Sequence, residues 1–145
     1  MKITRKSTGH LEKLKKQLSK KKSSVKVGIL HGKYPNGTNT ALVGFWAEYG
    51  TKHAPERSFI RSTLHDNKDY KSMTKKIATS IVKGRRTTKQ GLGILGQTVK
   101  QDIQDKIVNL KSPPNTEATI KAKGSSNVLI DTGVLLGSID YDIEA

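Results

Sequence analysis

The chain has 145 residues, a length that predicts one domain and excludes a large multidomain enzyme. It carries 27 Lys and Arg against 12 Asp and Glu, and the net charge of +15 favours anionic partners. The absence of cysteine excludes disulfides, thiolate metal sites and thiol nucleophiles. No apolar run approaches the roughly 20 residues of a membrane span, and no signal-peptide pattern follows the basic start, so neither a membrane partner nor a cleaved leader is expected.

The first 22 residues form a basic segment. Residues 2–22 contain nine Lys and Arg and one acid, Glu12, and their leucines are spaced by three and four, which predicts an amphipathic helix. Two interpretations stay open: the leucines dock on the rest of the chain, or the segment is an arm whose cations contact DNA, a partner or a membrane surface. The candidate arm residues are Lys13, Lys15, Lys16, Lys20, Lys21 and Lys22. We therefore predict residues 1–22 as a basic N-terminal helix or arm and 23–145 as a single domain.

A strand and three helices are predicted in the first half of that domain. Valine and isoleucine alternate with Lys and Gly near 25–30, which predicts a half-buried strand. Beyond a turn-rich loop, apolar spacing of three and four predicts a helix that is capped by Asn39 or Thr40 and ends at Gly50. The fixed φ of Pro55 predicts that a second helix opens there, and a third helix is predicted over 68–83.

The second half of the domain contains the longest periodic segment. Apolar residues repeat at four and three over about 90–110, which predicts a long helix, and Pro113 and Pro114 require its end. Near 138–143 isoleucine and tyrosine alternate with acids, which predicts a closing strand with one acidic face. The predicted fold class is α+β: a small antiparallel or mixed sheet packed against the long helix and shorter helices.

The sequence contains patterns that resemble catalytic or cofactor-binding motifs, but the residues around them do not fit such sites. Residues 91–96 match G-x-G-x-x-G, but a dinucleotide site needs a preceding buried strand and a basic connector stands there instead, which favours close packing by the glycines. The four histidines are scattered, and the acid pairs Glu48 with Glu56 and Asp102 with Asp105 are typical of a solvated charged face. The sequence predicts no catalytic, cofactor-binding or metal-ligating residues and no enzyme.

Two segments are too specific for a generic core or surface. Residues 44–51 (Gly-Phe-Trp-Ala-Glu-Tyr-Gly-Thr) run into 54–61 (Ala-Pro-Glu-Arg-Ser-Phe-Ile-Arg), and 129–139 read Leu-Ile-Asp-Thr-Gly-Val-Leu-Leu-Gly-Ser-Ile. They resemble the tailed-bacteriophage neck or tail-completion family, minor virion proteins of head-tail joining. In that family an aromatic-Glu-aromatic-Gly-Thr stretch precedes Pro-x-Arg-Pro-Phe-Leu-Arg, and the chain closes with Leu-Ile-Asp-Thr-Gly-x-Leu-x-x-Ser-Ile. Ser58 and Ile60 depart from this pattern.

The resemblance implies a structural virion protein without enzymatic activity or cofactors. It implies a homo-oligomeric ring, six- or twelve-fold, that joins the head connector to the tail around the DNA channel. The implied partners are further copies of the chain, a head connector or head-closure protein, a tail terminator or tail tube, and genomic DNA without sequence specificity. The implied location is the neck of the virion, after assembly in the cytoplasm of the bacterial host.

The motifs and the final strand supply the remaining candidate residues. Aromatic and Arg side chains are frequent interface anchors, and an acidic strand would orient a basic neighbouring surface. The predicted subunit or ring interface comprises Phe45, Trp46, Glu48, Tyr49, Arg57, Phe59, Arg61, Asp140, Asp142 and Glu144. The predicted structural motif comprises Gly50, Thr51, Pro55, Asp131, Thr132, Gly133, Leu135, Ser138 and Ile139. Core packing of the aromatic cluster stays open as an alternative, as does local backbone bonding by Asp131 and Thr132.

The charge also supports a second class of function, a basic, sequence-nonspecific nucleic-acid-binding protein. Against it, the aromatic cluster surrounds Glu48, whereas a base-stacking platform needs aromatic residues among cations. Steeply salt-dependent DNA binding by a monomer that forms no rings would favour this alternative.

Overall fold

The structure, a computed structural model, describes residues 8–19, 23–67 and 69–144. Within these ranges seven helices and two strands form an α+β fold, which confirms the predicted class. In chain order the elements are α1 (Thr8–Ser19), β1 (Ser24–Ile29), α2 (Thr40–Tyr49), α3 (Ile60–Asp66), α4 (Asp69–Val82), α5 (Thr88–Asn109), α6 (Glu117–Lys123), α7 (Val134–Gly137) and β2 (Ile139–Glu144).

The two strands form an antiparallel sheet between segments near opposite ends of the chain. Val25 lies opposite Ile143, and Ile29 lies opposite Ile139. Both predicted strands are confirmed, and the sheet is antiparallel. The pairing brings the acidic final strand against a strand that carries Lys26, directly opposite Asp142.

Helix α5 is the centre of the packing. It contacts both strands and α4. Its buried side chains Val99, Ile103 and Ile107 recur every four residues, as the periodicity predicts. They form the core together with Phe59, Leu135 and Ile139. Complete burial of such a side chain stabilises the fold by roughly 1.5 to 3 kcal/mol.

The glycines of the nucleotide-like motif are packing positions. A Cβ atom on Gly96 would lie 2.5 Å from Cδ2 of Tyr141 in the sheet. A Cβ atom on Gly91 would lie 2.6 Å from Cγ2 of Ile77 on α4. The absence of side chains at both positions therefore lets α5 approach the sheet and α4 closely.

One predicted helix start is wrong. Helix α3 begins at Ile60, and Pro55 lies in the nonhelical segment before it. The amide of Arg57 donates to the carbonyl of Ala47 at 2.8 Å. This bond ties the segment to α2, and the chain enters α3 only at Ile60.

The N-terminal segment contains the predicted helix, α1. Lys13, Lys15 and Lys16 are exposed on it, and Leu11 is 58% exposed, the opposite of what docking by this leucine requires. The described residues do not include the candidate arm residues Lys20, Lys21 and Lys22 or the predicted first residue of the third helix, Lys68. They also exclude the side chains of Leu14 and Leu18.

Candidate functional site

Helix α2 presents apolar side chains to solvent. Asn39 caps its first turn by accepting a backbone amide hydrogen bond, as the sequence predicts. Leu42, Phe45, Trp46 and Tyr49 share one helix face and are 45%, 57%, 44% and 53% exposed. These four residues are called the α2 stripe. Their exposure excludes core packing in the isolated chain for the aromatic members. The predicted interface omits Leu42, although the spacing of three and four that predicts α2 includes it.

Contacts among aromatic rings hold the α2 stripe in place. The ring centroids of Phe45 and Tyr49 are 4.8 Å apart at an interplanar angle of 41°. The guanidinium carbon of Arg61 lies 4.4 Å from the centroid of the Tyr49 ring. A pair of each kind contributes about 0.5 to 1.5 kcal/mol, enough to bias exposed side chains toward one arrangement.

Beside the stripe, the buried carboxylate of Glu48 caps a neighbouring helix. It accepts hydrogen bonds from the amides of Phe59 (2.8 Å), Ile60 (3.0 Å) and Arg61 (2.9 Å) and from the hydroxyl of Ser58 (2.8 Å). These amides are at the start of α3, whose own N-cap residue supplies no side-chain bond. Glu48 thus replaces a local cap with a charged acceptor at the positive end of the helix.

The hydrogen bonds keep Glu48 ionised. Burial raises the pKa of this carboxyl, but the bonds from Ile60, Phe59, Arg61 and Ser58 outweigh it, so the pKa lies below its ordinary value. The placement of Glu48 in the interface is therefore corrected, because its oxygens are engaged inside the chain and it is 5% exposed.

Arg61 connects the α2 stripe to the turn that follows. Its guanidinium donates to the Glu48 carbonyl (2.8 Å), to the Glu48 carboxylate (3.1 Å) and to the Glu56 carboxylate (2.6 Å). The side chain remains 48% exposed, so it contributes to the surface beside Tyr49 while it fixes the backbone behind it. One cation thus joins the α2 stripe to the cap of α3.

The Gly-Thr pair of the first motif forms that turn. Gly50 has a φ of 74°, and a Cβ there would lie 2.8 Å from the amide nitrogen of Glu56. The hydroxyl of Thr51 accepts hydrogen bonds from the amides of His53 and Ala54. Both residues therefore act in the local backbone geometry.

Two further predicted interface residues act inside the chain. Phe59 is fully buried in the core, so its placement in the interface is wrong. Arg57 donates from Nε to the carbonyl of Pro113 (3.0 Å) and from a terminal nitrogen to that of Pro114 (3.2 Å). Arg57 thereby holds the segment after α5 against the first motif.

The second motif divides into buried and exposed positions. Leu135, Ser138 and Ile139 are buried. Gly133, at φ 77°, precedes α7, which has no side-chain cap. Asp131 and Thr132 are exposed, and neither side chain forms a hydrogen bond with any described residue, so local backbone bonding by them is wrong.

The two motifs meet at a cleft of about 370 Å³. Trp46 and Pro55 line it from the first motif, and Leu129, Asp131 and Leu135 line it from the second. Trp46 therefore borders both the α2 stripe and the cleft. Segments that are far apart in the sequence form one continuous surface here.

The acidic face of β2 is largely neutralised within the chain. Asp140 pairs with Lys100 at 2.9 Å and lies 3.5 Å from Nε2 of His31. The hydrogen bond from Lys100 and that from the Tyr141 amide lower the pKa of Asp140 to about 2. Glu144 pairs with Lys26. Each of these two carboxylates already has a cation of its own chain, but both remain partly exposed, and their intermolecular role stays a prediction.

The carboxylates considered as catalytic pairs serve structural contacts. Asp102 accepts hydrogen bonds from the Tyr70 hydroxyl (2.6 Å) and the Asn67 amide (2.9 Å), and Asp105 accepts one from Gln101 (2.9 Å). The bonds to Asp102 tie the start of α4 to the second half of α5, and the bond to Asp105 lies within α5.

The described residues form neither a metal site nor a membrane span. Among the residues in 8–19, 23–67 and 69–144, no group of three or more His, Asp or Glu side chains is arranged to hold a metal ion. In the same ranges no helix is long and apolar enough to span a membrane. No protein-family model, curated protein or solved structure matches the chain. Since fold class alone does not specify function, the α2 stripe and the surface charge are the features from which function is inferred.

Proposed function

We propose that this protein is a structural component of a bacteriophage neck, where copies form a ring that joins the head connector to the tail around the DNA channel. The α2 stripe carries the proposal. An exposed apolar helix face rimmed by polar residues marks a protein-binding surface, and Arg61 preorganises this one by stacking on Tyr49. The motif resemblance supplies the virion context, and the ring symmetry remains six- or twelve-fold in this proposal.

The size of the stripe favours repeated weak contacts between copies. Four half-exposed side chains of this size present roughly 300 to 400 Å², and covering them yields roughly 8 to 10 kcal/mol at 25 cal/mol per Å². Association itself costs about 4 to 15 kcal/mol. A single contact is therefore marginal, whereas a closed ring lets every subunit form two contacts and gains stability from closure.

The charge of the chain fits an assembly around a polyanion. Copies that each carry +15 repel one another, and DNA in the channel would offset that repulsion. Asp140 and Glu144 are paired internally, so the apolar stripe supplies the affinity between copies. Asp142 forms no ion pair with the described residues and stays the candidate for orienting a neighbour.

Replacement of one aromatic residue tests the proposal. Trp46→Ala should shift the protein from a ring to a folded monomer, because Trp46 is the largest side chain of the stripe and is 44% exposed in the isolated chain. The measurement is particle mass by sedimentation velocity over a concentration series, with circular dichroism to verify folding.

Val108→Ala is the matched control, since Val108 is 48% exposed on α5 and away from α2. It should assemble like the wild type. Rings of unchanged stability in Trp46→Ala, or a wild type that stays monomeric at all concentrations, contradict the proposal. Particles assembled without this protein should show separate heads and tails by electron microscopy, and normal progeny would remove the neck assignment.

The alternative function is sequence-nonspecific nucleic-acid binding by a monomer. The same mass measurement, repeated with duplex DNA, separates the two. A monomer that binds DNA tightly without forming rings favours the alternative.

A further inference from the structure

The part of the α4–α5 hairpin nearest its connecting turn carries cations and no acids. Residues 70–101, comprising all of α4 after its first residue, the connecting turn and the first half of α5, contain eight Lys and Arg and no Asp or Glu. These residues are called the basic hairpin. Lys100 is paired with Asp140. The other seven are exposed and form no ion pair with any described residue: Lys71, Lys75, Lys76, Lys83, Arg85, Arg86 and Lys89.

The packing of α4 directs its lysines outward. Ile77 is buried against α5, and it contacts the position of Gly91. Lys71 and Lys75 lie four residues apart on the side of α4 away from Ile77, and Lys83 continues this row in the turn just after the helix. At 1.5 Å per residue this row is about 18 Å long. The basic hairpin therefore presents a row of cations rather than a single charge.

Guanidinium groups continue the row at the turn. Arg85 and Arg86 border an open cleft of about 640 Å³ that is also lined by Gln97 and Thr98 of α5. Guanidinium and amide groups donate hydrogen bonds to phosphate oxygens in nucleic-acid complexes, whereas the Thr98 hydroxyl already donates to the Ile94 carbonyl. This end of the basic hairpin thus combines charge with hydrogen-bond donors.

The acids lie at the other end of the same helices. Asp69 begins α4, and Asp102 and Asp105 lie in the second half of α5. The hydrogen bond from Tyr70 to Asp102 shows that these two regions adjoin. The net positive charge is therefore greater at the turn end of the hairpin, and a polyanion is attracted more strongly to that end.

We infer that the basic hairpin is a binding surface for the phosphate backbone of duplex DNA. Seven of its eight cations have no acid partner among the described residues, which gives charge complementarity to a polyanion. Its single aromatic residue, Tyr70, is bonded to Asp102, so base stacking is not the mode and binding is independent of sequence. A membrane surface fits less well, because Ile77 packs against α5 and the exposed large apolar side chains of the hairpin are only Val82 and Ile94, too few for a face that enters lipid.

This assignment moves the DNA contact from the N-terminal arm to the hairpin. In the proposed ring the hairpin lines the channel, and that placement rests on the proposed function. DNA binding by the hairpin itself does not require a ring.

A charge-removal variant tests the inference on the full-length protein. Lys75→Gln, Lys83→Gln, Arg85→Gln and Arg86→Gln are combined, and binding to a fluorescent duplex of about 30 base pairs is followed by anisotropy across a salt series. Loss of four phosphate contacts should reduce the slope of log K against log salt by about three to four and weaken binding at least about tenfold at low salt. Two unrelated duplex sequences should be bound equally.

Two control variants show whether a loss of binding depends on the position of the removed cations or only on the total charge. Lys33→Gln, Lys52→Gln, Lys111→Gln and Lys121→Gln together remove the same charge from exposed positions elsewhere and should keep most of the salt slope. Arg85→Lys with Arg86→Lys keeps the charge and should retain binding, which excludes misfolding at the turn as the cause. A third variant, Lys13→Gln, Lys15→Gln and Lys16→Gln, tests the arm.

Several results would overturn the inference. One is an equal loss of duplex affinity in the hairpin and charge-matched variants, and another is a loss of affinity confined to the arm variant. The inference would also fail if the wild type did not bind the duplex at low salt. It would fail as well if the wild type bound vesicles of phosphatidylcholine and phosphatidylglycerol without binding DNA. Sedimentation of the same samples reports ring formation separately, so failure of DNA binding and failure of the proposed assembly are distinguishable.

Discussion

At the level of single residues, Glu48 shows how one buried charge organises a surface. Its carboxylate holds the first amides of α3, and the backbone of the same residue accepts from Arg61. Arg61 in turn lies over Tyr49. The buried carboxylate of Glu48 therefore helps to position exposed Tyr49 through Arg61, although no partner could contact Glu48 itself.

Glu48→Gln should lower the free energy of unfolding by about 2 to 4 kcal/mol, measured by urea denaturation. Glutamine keeps the size but has one acceptor oxygen, and its NH2 group would face amide donors at the start of α3. Glu56→Gln is the control, because Glu56 is 55% exposed and should change stability by about 1 kcal/mol or less. Equal losses in the two variants would contradict the capping role.

At the level of elements, α5 depends on the absence of side chains at its contacts. Gly96 lies against Tyr141 and Val25, whereas a Cβ atom on Gly93 of the same helix would lie 3.7 Å from Cδ1 of Ile143, an ordinary contact. Glycine weakens a helix intrinsically, so Gly96 is explained by close approach and Gly93 is not. The difference makes the two positions a matched pair.

Gly96→Ala should destabilise the protein by about 1 to 3 kcal/mol, because the added Cβ would overlap the Tyr141 ring. Gly93→Ala should stabilise it by up to about 1 kcal/mol, because it adds helix propensity in an ordinary van der Waals contact. Thermal unfolding of the two variants measures both effects. Stabilisation by Gly96→Ala would show that α5 and the sheet are not in close contact.

For the whole molecule, charge is separated by tertiary structure more than by sequence. The final strand contains the acids of the C-terminus, yet Lys26 and Lys100 neutralise two of them. The basic hairpin keeps its charge because only Lys100 finds a partner. Folding thereby converts a generally basic chain into one with a concentrated cationic surface.

The protein should lose stability in acid. A carboxyl group whose pKa falls on folding stabilises the fold above its unfolded pKa, and this contribution is lost as pH falls through the folded pKa. For Asp140, with an ordinary value of 3.8 and a folded pKa of about 2, the loss occurs across that interval, and the lowered pKa of Glu48 adds to it from below 4.5. The melting temperature should therefore fall between about pH 5 and pH 2.

Lys100→Gln isolates the contribution of Asp140. The variant should melt below the wild type at neutral pH and approach it near the folded pKa of about 2, where the carboxyl is losing its charge in both proteins. The change in melting temperature should be modest, because Asp140 is 38% exposed and water screens its ion pair with Lys100. Lys121→Gln, which removes a cation without an ion-pair partner among the described residues, should give a pH-independent offset. A constant difference for Lys100→Gln as well would contradict the pairing.

Local patterns predicted most elements correctly because they depend on near neighbours. The four-residue repeat of Val99, Ile103 and Ile107 predicts α5, and alternation predicts both strands. The helix start at Pro55 was predicted wrongly because the φ of proline, a local property, suits a helix start. The segment is instead tied to α2 by the bond from the Arg57 amide to the carbonyl of Ala47, a contact that local sequence does not show.

The sequence by itself determined the helix and strand periods, the α+β class and the excess of cations, since these follow from residue type and short-range spacing. Only the tertiary structure decided that Phe59 is core while Phe45 and Trp46 are exposed, and that Glu48 caps a helix. It also decided which cations remain unpaired. Burial and charge pairing depend on the surfaces that meet across the fold, and residues that are equivalent by local pattern meet different neighbours there.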